Sequence, residues 1–88
     1  MRVKYRTTFL NDLKSLRDKR MRTRIGSAIE RVERAASLDE VPGVKRLHAS
    51  GPYYRLRIGD YRLGFYVVGD VVTFVHALRR RDIYRHFP

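Results

Sequence analysis

The first third of the chain changes from a strand-like to a helix-like pattern of apolar positions. Residues 2–6 alternate between basic and apolar side chains, which is typical of a β-strand. After Thr7 and Thr8, either of which can cap a helix, apolar residues recur every three or four positions. This first apolar stripe consists of Phe9, Leu10, Leu13 and Leu16. The pattern predicts a short strand followed by an amphipathic helix.

A second helix is predicted after the polar corner at residues 18–20. Apolar residues again recur every three or four positions, and their extent predicts about four turns of helix. This second stripe consists of Met21, Ile25, Ala28, Ile29, Val32, Ala35 and Ala36. The opposite face carries the charged residues Arg22, Arg24, Glu30, Arg31, Glu33 and Arg34. We interpret that face as solvated surface in preference to an RNA-binding stripe, because surface helices ordinarily carry charges away from the core.

Turn-forming residues interrupt the helical pattern between residues 37 and 52. Breakers occur at residues 42–43 (PG) and 50–52 (SGP), and Val44 and Leu47 are expected to pin this connection to the core.

Beyond the connection the period becomes two. Residues 53–58, 61–68 and 71–79 are predicted strands, and the Gly-Asp dipeptides at residues 59–60 and 69–70 suit two-residue hairpin turns. We therefore predict one α+β domain spanning residues 1–88. Its parts are an N-terminal strand, a two-helix hairpin, an antiparallel three-strand meander with the helices on one face, and a short C-terminal tail.

The first hairpin turn determines which strand residues lie opposite each other. On one face the pairs are apolar: Ile58 with Tyr61, Leu56 with Leu63, and Tyr54 with Phe65. On the other face the pairs are Arg57 with Arg62, Arg55 with Gly64, and Tyr53 with Tyr66. Like charges directly opposite on a sheet are destabilising. The pairing of Arg57 with Arg62 therefore indicates that an anion binds between them.

The second hairpin extends this register onto the last strand. A two-residue turn pairs Phe65 with Phe74, Val67 with Val72, Leu63 with His76, and Tyr61 with Leu78 on the core face. On the other face it pairs Arg62 with Ala77 and Gly64 with Val75. In this register Gly64 and Ala77 form an open floor, and a continued strand brings Arg79 and Arg81 to the face of Arg62. His76 is expected to be a semi-buried, satisfied side chain.

The outcome is a concave basic surface on the sheet face away from the helices. It combines Arg55, Arg57 and Arg62 with residues 79–81, while Tyr53 and Tyr66 flank it for base stacking. The alternative is that an arginine-rich protein simply places Arg on any exposed sheet face. We favour an anion site because arginines from three strands converge there with few carboxylates nearby.

Composition supports the same class of partner. The 88 residues contain 20 Lys+Arg against 9 Asp+Glu, a formal charge of +11, and 16 of the basic residues are Arg, which binds phosphate through a planar fork. Nucleic acid is the favoured partner, although an acidic protein would also be attracted. The chain has no Cys, which excludes disulfides, thiolate zinc sites and a Cys nucleophile. No apolar run is long enough for a membrane span or signal peptide, so we expect a cytoplasmic protein without membrane contact.

The available chemistry is metal-free phosphate transfer. His48, His76 and His86 lack ligand spacing, so neither a metal nor another cofactor is expected. RNA supplies its own 2′-hydroxyl nucleophile, so cleavage needs a held backbone, proton transfer and stabilised phosphorane charge. The candidates for proton transfer are Tyr84 and His86. Alternatively, Tyr84 docks the tail on the core.

Three segments resemble a known family. Residues 42–47 (PGVKRL), 54–63 (YRLRIGDYRL) and 79–85 (RRRDIYR), together with the element order, resemble the RelE/ParE superfamily of bacterial type II toxins. The resemblance implies a RelE-like fold and a metal-independent, ribosome-dependent endoribonuclease that cleaves mRNA and inhibits translation. It also implies a cognate antitoxin, for which the charge of this chain suggests an acidic amphipathic segment.

The resemblance carries functional residues onto this sequence by position. The family's functional residues fall on Arg55, Arg57, Arg62, Arg80 and Tyr84. Together with the strand register, this gives the catalytic candidates Arg55, Arg57, Arg62, Arg80 or Arg81, and Tyr84, and the RNA-binding candidates Tyr53, Tyr66, Arg79, Arg85 and His86. RelE has Lys where this chain has Arg55 and Arg57, which removes an obvious general base. Strict strand alternation favours Arg79 and Arg81 over Arg80 unless a bulge intervenes. The alternatives are a ParE-like inhibitor of DNA gyrase and a non-catalytic RNA-binding module of the same fold.

Overall fold

A five-stranded sheet with two helices on one face and one on the other forms the molecule. The computed structural model describes residues 1–48 and 51–88. The elements are β1 (Arg2–Tyr5), α1 (Thr7–Ser15), α2 (Lys19–Arg34), β2 (Val44–Arg46), β3 (Tyr53–Ile58), β4 (Tyr61–Val68), β5 (Val71–Arg79) and α3 (Arg80–His86), with a 3-10 turn at Leu38–Glu40. The strand order is β1-β5-β4-β3-β2, in which β1 runs parallel to β5 and the other neighbours are antiparallel. The predicted α+β class and the three meander strands are confirmed.

Two elements were missing from the prediction. The connecting region contains strand β2, whose three residues are too few for an alternating pattern to be recognised. The predicted tail is helix α3, which buries only Ile83 within its seven residues and so shows no helical stripe. Ser50, one of the predicted breakers, lies outside the described residues. None of the helices within the described ranges has the length and apolarity that a membrane crossing requires.

The starts of the two long helices differ in how they are capped. Asp18 caps α2, because its carboxylate accepts a hydrogen bond from the Met21 N–H at 3.1 Å. The predicted threonine cap of α1 is wrong, since that helix begins at Thr7 after Arg6, which makes no side-chain cap bond. Two stripe positions are also wrong, because Leu10 is 44% exposed and Ala36 lies beyond the end of α2 on the surface.

Two hydrophobic clusters lie on opposite faces of the sheet. The larger one joins α1 and α2 to the sheet through fully buried side chains, among them Phe9, Ile25, Leu63, Phe65 and Phe74. The smaller one docks α3 on the other face and consists of Leu47, Ile83 and Phe87, with Val75 and Leu78 packed against it. Leu47 thus pins the connecting region as predicted, and Val44 packs against the larger cluster.

The register of the first hairpin is as predicted, whereas that of the second changes along its length. Pairing follows the prediction from Val68–Val71 to Phe65–Phe74 and then shifts by one residue between Gly64 and Phe65. Val75 is the extra residue of this β-bulge. The predicted partners beyond it are therefore wrong, and the observed pairs are Gly64 with His76, Leu63 with Ala77, Arg62 with Leu78, and Tyr61 with Arg79.

Side chains of α1 hold the bulge at the edge of β5. Strand β1 pairs with β5 only as far as Phe74, and beyond that point the Thr8 hydroxyl donates to the Val75 carbonyl. The Asp12 carboxylate accepts from the Ala77 N–H at 3.0 Å and lies 2.9 Å from His76 Nδ1. His76 is therefore partnered and largely buried as expected, although it lies opposite Gly64 and not Leu63.

Candidate active site

A basic cavity of about 310 Å³ lies where β2, β3, β4 and α3 meet. We call it the arginine pocket and define it by Arg55, Arg57, Arg62, Arg80 and Tyr84. Gly43, Val44 and Lys45 also line it, and none of its lining residues within the described ranges is acidic. Four guanidinium groups facing one small cavity without a carboxylate favour the binding of an anion such as phosphate.

Adjacent strands supply the first three arginines. Arg55 and Arg57 lie two positions apart on β3 and share one face, and Arg57 lies directly opposite Arg62 on β4. The β3–β4 turn orients Arg62, because its Nη1 donates to the carbonyl oxygens of Gly59 and Tyr61, both at 2.9 Å. Arg62 is thus held in place before any ligand binds.

The electrostatic environment of Arg62 is unfavourable to its charge. Partial burial is the main cause that lowers its pKa, and Arg80, Arg57 and Arg55 add repulsion, which Tyr84 opposes. A bound anion would relieve that repulsion. The pocket is therefore arranged for a negative charge and not for the stability of the free protein.

Helix α3 supplies the remaining two groups of the pocket. The Arg80 N–H donates to the Asp60 carbonyl at 2.8 Å, which fixes the start of α3 at the β3–β4 turn. Tyr84 follows one turn later, so Arg80 and Tyr84 share one helix face. The Arg55 guanidinium carbon lies 4.4 Å from the centroid of the Tyr84 ring, a cation–π distance.

Arginines perturb the acidity of Tyr84. A hydrogen bond with Arg80 is the main cause that lowers the pKa of Tyr84, the charges of Arg55, Arg80 and Arg62 lower it further, and desolvation opposes them. The same hydrogen bond raises the pKa of Arg80. Tyr84 is 55% exposed, so the alternative in which it docks the tail is wrong. Ile83 and Phe87 perform that docking.

Two cavities that also contain Tyr84 adjoin the arginine pocket. One, of about 540 Å³, is lined by Asp60, Arg79, Arg80, Arg81 and Tyr84. The other, of about 480 Å³, is lined by Lys45, Arg46, Leu47, His48, Arg55, Tyr84, Phe87 and Pro88. Tyr84 lines all three, so an extended chain crossing the cavities would pass over its side chain.

Arg79 and Arg81 do not join the face of Arg62 as predicted. The bulge turns Arg79 away, and its guanidinium lies 3.4 Å from the Asp60 carboxylate and 5.5 Å from the Tyr61 ring centroid. Because β5 ends at Arg79, Arg81 belongs to α3 and lines only the second cavity. Arg80 reaches the pocket in their place.

The residues expected to stack on bases lie away from the pocket. The Tyr53 ring packs edge-on against Tyr66 and Phe87, with centroids 6.3 and 5.8 Å away, and Tyr53 and Tyr66 line none of the three cavities. Arg85 and His86 are exposed on α3 and also line none of them.

The open floor predicted at Gly64 and Ala77 does not exist. Phe87 covers Gly64 so closely that a Cβ there would lie 2.6 Å from Phe87 Cδ2, and Ala77 faces the larger core.

Lys45 was missed as a lining residue because strand β2 was not predicted. It lies opposite Arg55 in the sheet, and its place in the 42–47 motif was the one available signal. Within the described ranges, no three His, Asp or Glu residues gather closely enough to hold a metal ion.

Comparison with known proteins identifies the family of this chain. Residues 3–84 match the family of ParE toxins of the type II toxin–antitoxin system parDE. The chain belongs to the RelE/ParE superfamily of toxins. This RelE-like toxin is also 37% identical, over the full length of both chains, to Toxin RelE3 of Methanocaldococcus jannaschii.

Solved structures agree with this assignment of the toxin. The RelB–RelE antitoxin–toxin complex from Methanococcus jannaschii superposes with a TM-score of 0.80 at 35% identity, covering 97% of this chain and 99% of that one. The archaeal RelE–RelB complex from Pyrococcus horikoshii gives 0.73 at 28% identity, covering 90% and 93%. The YoeB dimer from Staphylococcus aureus gives 0.73 at 18% identity, covering 91% and 97%, a likeness of fold alone.

Proposed function

We propose that this toxin is an endoribonuclease that cleaves mRNA on the ribosome and thereby stops translation. The observation that carries the proposal is that Tyr84 lines the arginine pocket. Tyr84 shares that pocket with four arginines, which suit a phosphate, and the pKa of Tyr84 is lowered by the hydrogen bond with Arg80. A phosphate site and a group suited to proton transfer are what RNA cleavage by the 2′-hydroxyl requires.

In the proposed reaction the 2′-oxygen attacks the adjacent phosphorus. The new 2′-O–P bond forms as the P–O5′ bond breaks, leaving a 2′,3′-cyclic phosphate and a 5′-hydroxyl end. Tyr84 as tyrosinate accepts the 2′-hydroxyl proton, and the departing 5′-oxygen takes a proton from solvent. The nucleophile belongs to the substrate, so the protein has to supply only position, charge and the base.

The arginines have separate roles in this proposal. Arg62, held by two backbone carbonyls, and Arg57 opposite it bind the non-bridging phosphate oxygens and stabilise the extra charge of the phosphorane. Arg80 and Arg55 bind the strand and also lower the pKa of Tyr84. In this proposal, each of the four arginines therefore interacts with the RNA, and Arg57 and Arg62 stabilise the transition state.

We also propose that a cognate antitoxin silences the toxin. The relatives from Methanococcus jannaschii and Pyrococcus horikoshii were solved as complexes of RelE with RelB. A formal charge of +11 favours a partner segment that is acidic and amphipathic. Affinity for such a segment should fall as salt rises.

Mapping of mRNA 5′ ends after brief induction of the toxin in cells tests the proposal. We expect new 5′-hydroxyl ends within translated regions, in phase with codons, and none after translation initiation is blocked. DNA damage without such ends would favour the ParE-like alternative, which the matching family model supports. Binding of RNA without cleavage would favour a non-catalytic RNA-binding module.

A further inference from the structure

A second basic groove lies beside the arginine pocket, between α2 and strand β3. We call it the α2 groove. It has a volume of about 300 Å³, and its rim consists of Thr23, Arg24, Ser27, Arg31, Pro42 and Arg57. Buried aliphatic side chains, including Leu56 and Ile58, form its floor. The charged face of α2 is exposed, as the sequence pattern predicted, and Arg24 and Arg31 on that face line the groove.

The α2 groove is continuous with the arginine pocket. Arg57 lines both cavities. The Arg24 guanidinium lies against the β3–β4 turn, where a Cβ at Gly59 would be 2.8 Å from Arg24 Nη1. The Gly59 carbonyl, in turn, binds Arg62 of the arginine pocket. A bound strand could therefore leave the pocket over Arg57 and meet Arg24 next.

The cations of the groove are free to bind an external anion. Across residues 1–48 and 51–88, the basic side chains that contact a carboxylate are Arg34, His76 and Arg79, and none of these lines the groove. Arg24 and Arg31 are exposed and lie two helical turns apart, about 10 Å along the axis, so they can bind different phosphates of one strand. The Thr23 and Ser27 hydroxyls add donors on the same rim.

From these contacts we propose that the α2 groove binds RNA backbone adjacent to the cleaved phosphate. This inference rests on the proposed function for the identity of the ligand, although it needs no cleavage. Two sources share the chemistry, namely the substrate strand itself and ribosomal RNA beside it. If the groove makes two phosphate contacts, it should make the slope of log affinity against log salt more negative by about 1.4 for single-stranded RNA.

The test measures RNA binding with a probe that cannot react. A fluorescent 20-nucleotide 2′-O-methyl RNA lacks the nucleophile, so its affinity is independent of catalysis. The groove variant is Arg24→Gln/Arg31→Gln. The matched control is Arg22→Gln/Arg34→Gln, which removes two charges from the same helix outside the groove. Thermal unfolding checks that both variants fold like the wild type.

We expect the groove variant to bind the RNA at least fivefold more weakly than the control at 0.1 M salt, with the smaller salt slope. A second assay measures the binding of each variant to ribosomes that carry no mRNA. If the groove variant loses affinity for these ribosomes but not for the free RNA, the groove binds ribosomal RNA, and the proposal also stands. Equal affinities of the two variants in both assays would overturn it. An equal loss for a poly-glutamate probe would overturn it in favour of a protein partner.

These outcomes are separable from those of the proposed function. If the wild-type toxin does not cleave mRNA but the groove variant loses RNA affinity, the proposed nuclease activity is rejected and RNA binding by the α2 groove is supported. If the wild-type toxin cleaves mRNA but the groove variant keeps its RNA affinity, the nuclease activity is supported and RNA binding by the groove is rejected.

Discussion

Arg62 is the residue on which the proposed anion site depends most. Its guanidinium is oriented by two carbonyls of the β3–β4 turn, and it lies opposite Arg57 with three further cationic groups close by. Its partial burial lowers its pKa, and an arginine guanidinium is effectively always protonated in proteins. In the proposed reaction, Arg62 contributes more to the bound phosphorane than to the free fold.

Replacing Arg62 tests that contribution. We expect Arg62→Ala to reduce mRNA cleavage at least 100-fold, the usual cost of losing a preorganised charge-stabilising donor. Its thermal unfolding should match the wild type or lie slightly above it, because like-charge repulsion is removed. Arg22→Ala is the control and should cleave normally, because Arg22 lies in α2 and lines neither the arginine pocket nor the α2 groove. Full cleavage by Arg62→Ala would disprove the anion site.

Arg80 sets the acidity of Tyr84, and this predicts a displaced pH profile. A general base acts when deprotonated, so the cleavage rate should rise with pH until the lowered pKa of Tyr84 is passed. Arg80→Gln removes the main cause of the lowering. The variant's Tyr84 pKa should be higher, and the rising limb should move to higher pH. NMR titration of labelled tyrosine and rates across pH check both. A rate that falls over that range would assign Tyr84 as the acid.

At the scale of elements, α3 completes the site because the smaller cluster docks it. Phe87 lies over Gly64 on β4, and Ile83 is fully buried beneath the helix. Those two contacts place Arg80 and Tyr84 over the arginines of β3 and β4. The geometry of the pocket therefore depends on Gly64, which does not itself line the pocket.

Filling the space at Gly64 should displace α3. In Gly64→Val the added Cβ would lie 2.6 Å from Phe87 Cδ2, so the ring must move. We expect cleavage to fall at least tenfold and the Tyr84 pKa to return towards its ordinary value, while the larger core stays folded. Gly26→Ala is the control, since nothing lies within 4 Å of that position in α2. It should gain roughly 0.5–1 kcal/mol of stability and keep full activity. Unchanged cleavage and an unchanged Tyr84 pKa in Gly64→Val would contradict the docking role.

Asp12 should hold the β5 bulge. Asp12→Ala leaves the buried Ala77 N–H without its acceptor, which costs about 1–3 kcal/mol. For a domain of this size each kcal/mol lowers the melting temperature by about 4–8 °C. Calorimetry of Asp12→Ala against the exposed neighbour Asn11→Ala measures the difference. Equal melting temperatures would show that α1 does not stabilise the bulge.

Local signals account for what could be predicted from the sequence. Alternation and a Gly-Asp turn were sufficient for β3 and β4, and hence for the approach of Arg55, Arg57 and Arg62. The bulge was not predictable in this way, because it depends on Thr8 and Asp12, more than sixty positions away. The bulge and α3 together bring Arg80, and not Arg79 or Arg81, into the pocket. The resemblance to RelE had already indicated Arg80 and Tyr84 where strand alternation did not.

For the whole molecule, the charge of +11 is distributed unevenly. The arginine pocket and the α2 groove lie next to each other near the β3–β4 turn. Within the described ranges, none of the arginines that line them forms an ion pair with a carboxylate. Arg34 and Arg79, by contrast, have carboxylate partners. This distribution is typical of a protein that binds a polyanion along a defined path.

The central claim is that Tyr84 in the arginine pocket cleaves RNA through the 2′-hydroxyl. The most direct measurement uses purified ribosomes carrying an mRNA, mixed with wild-type toxin or Tyr84→Phe, with the chemical ends of the products identified. We predict 2′,3′-cyclic phosphate and 5′-hydroxyl ends with the wild type, and at least a 100-fold slower reaction with Tyr84→Phe. Intact mRNA with folded wild-type toxin, or full-rate cleavage by Tyr84→Phe, would contradict the account.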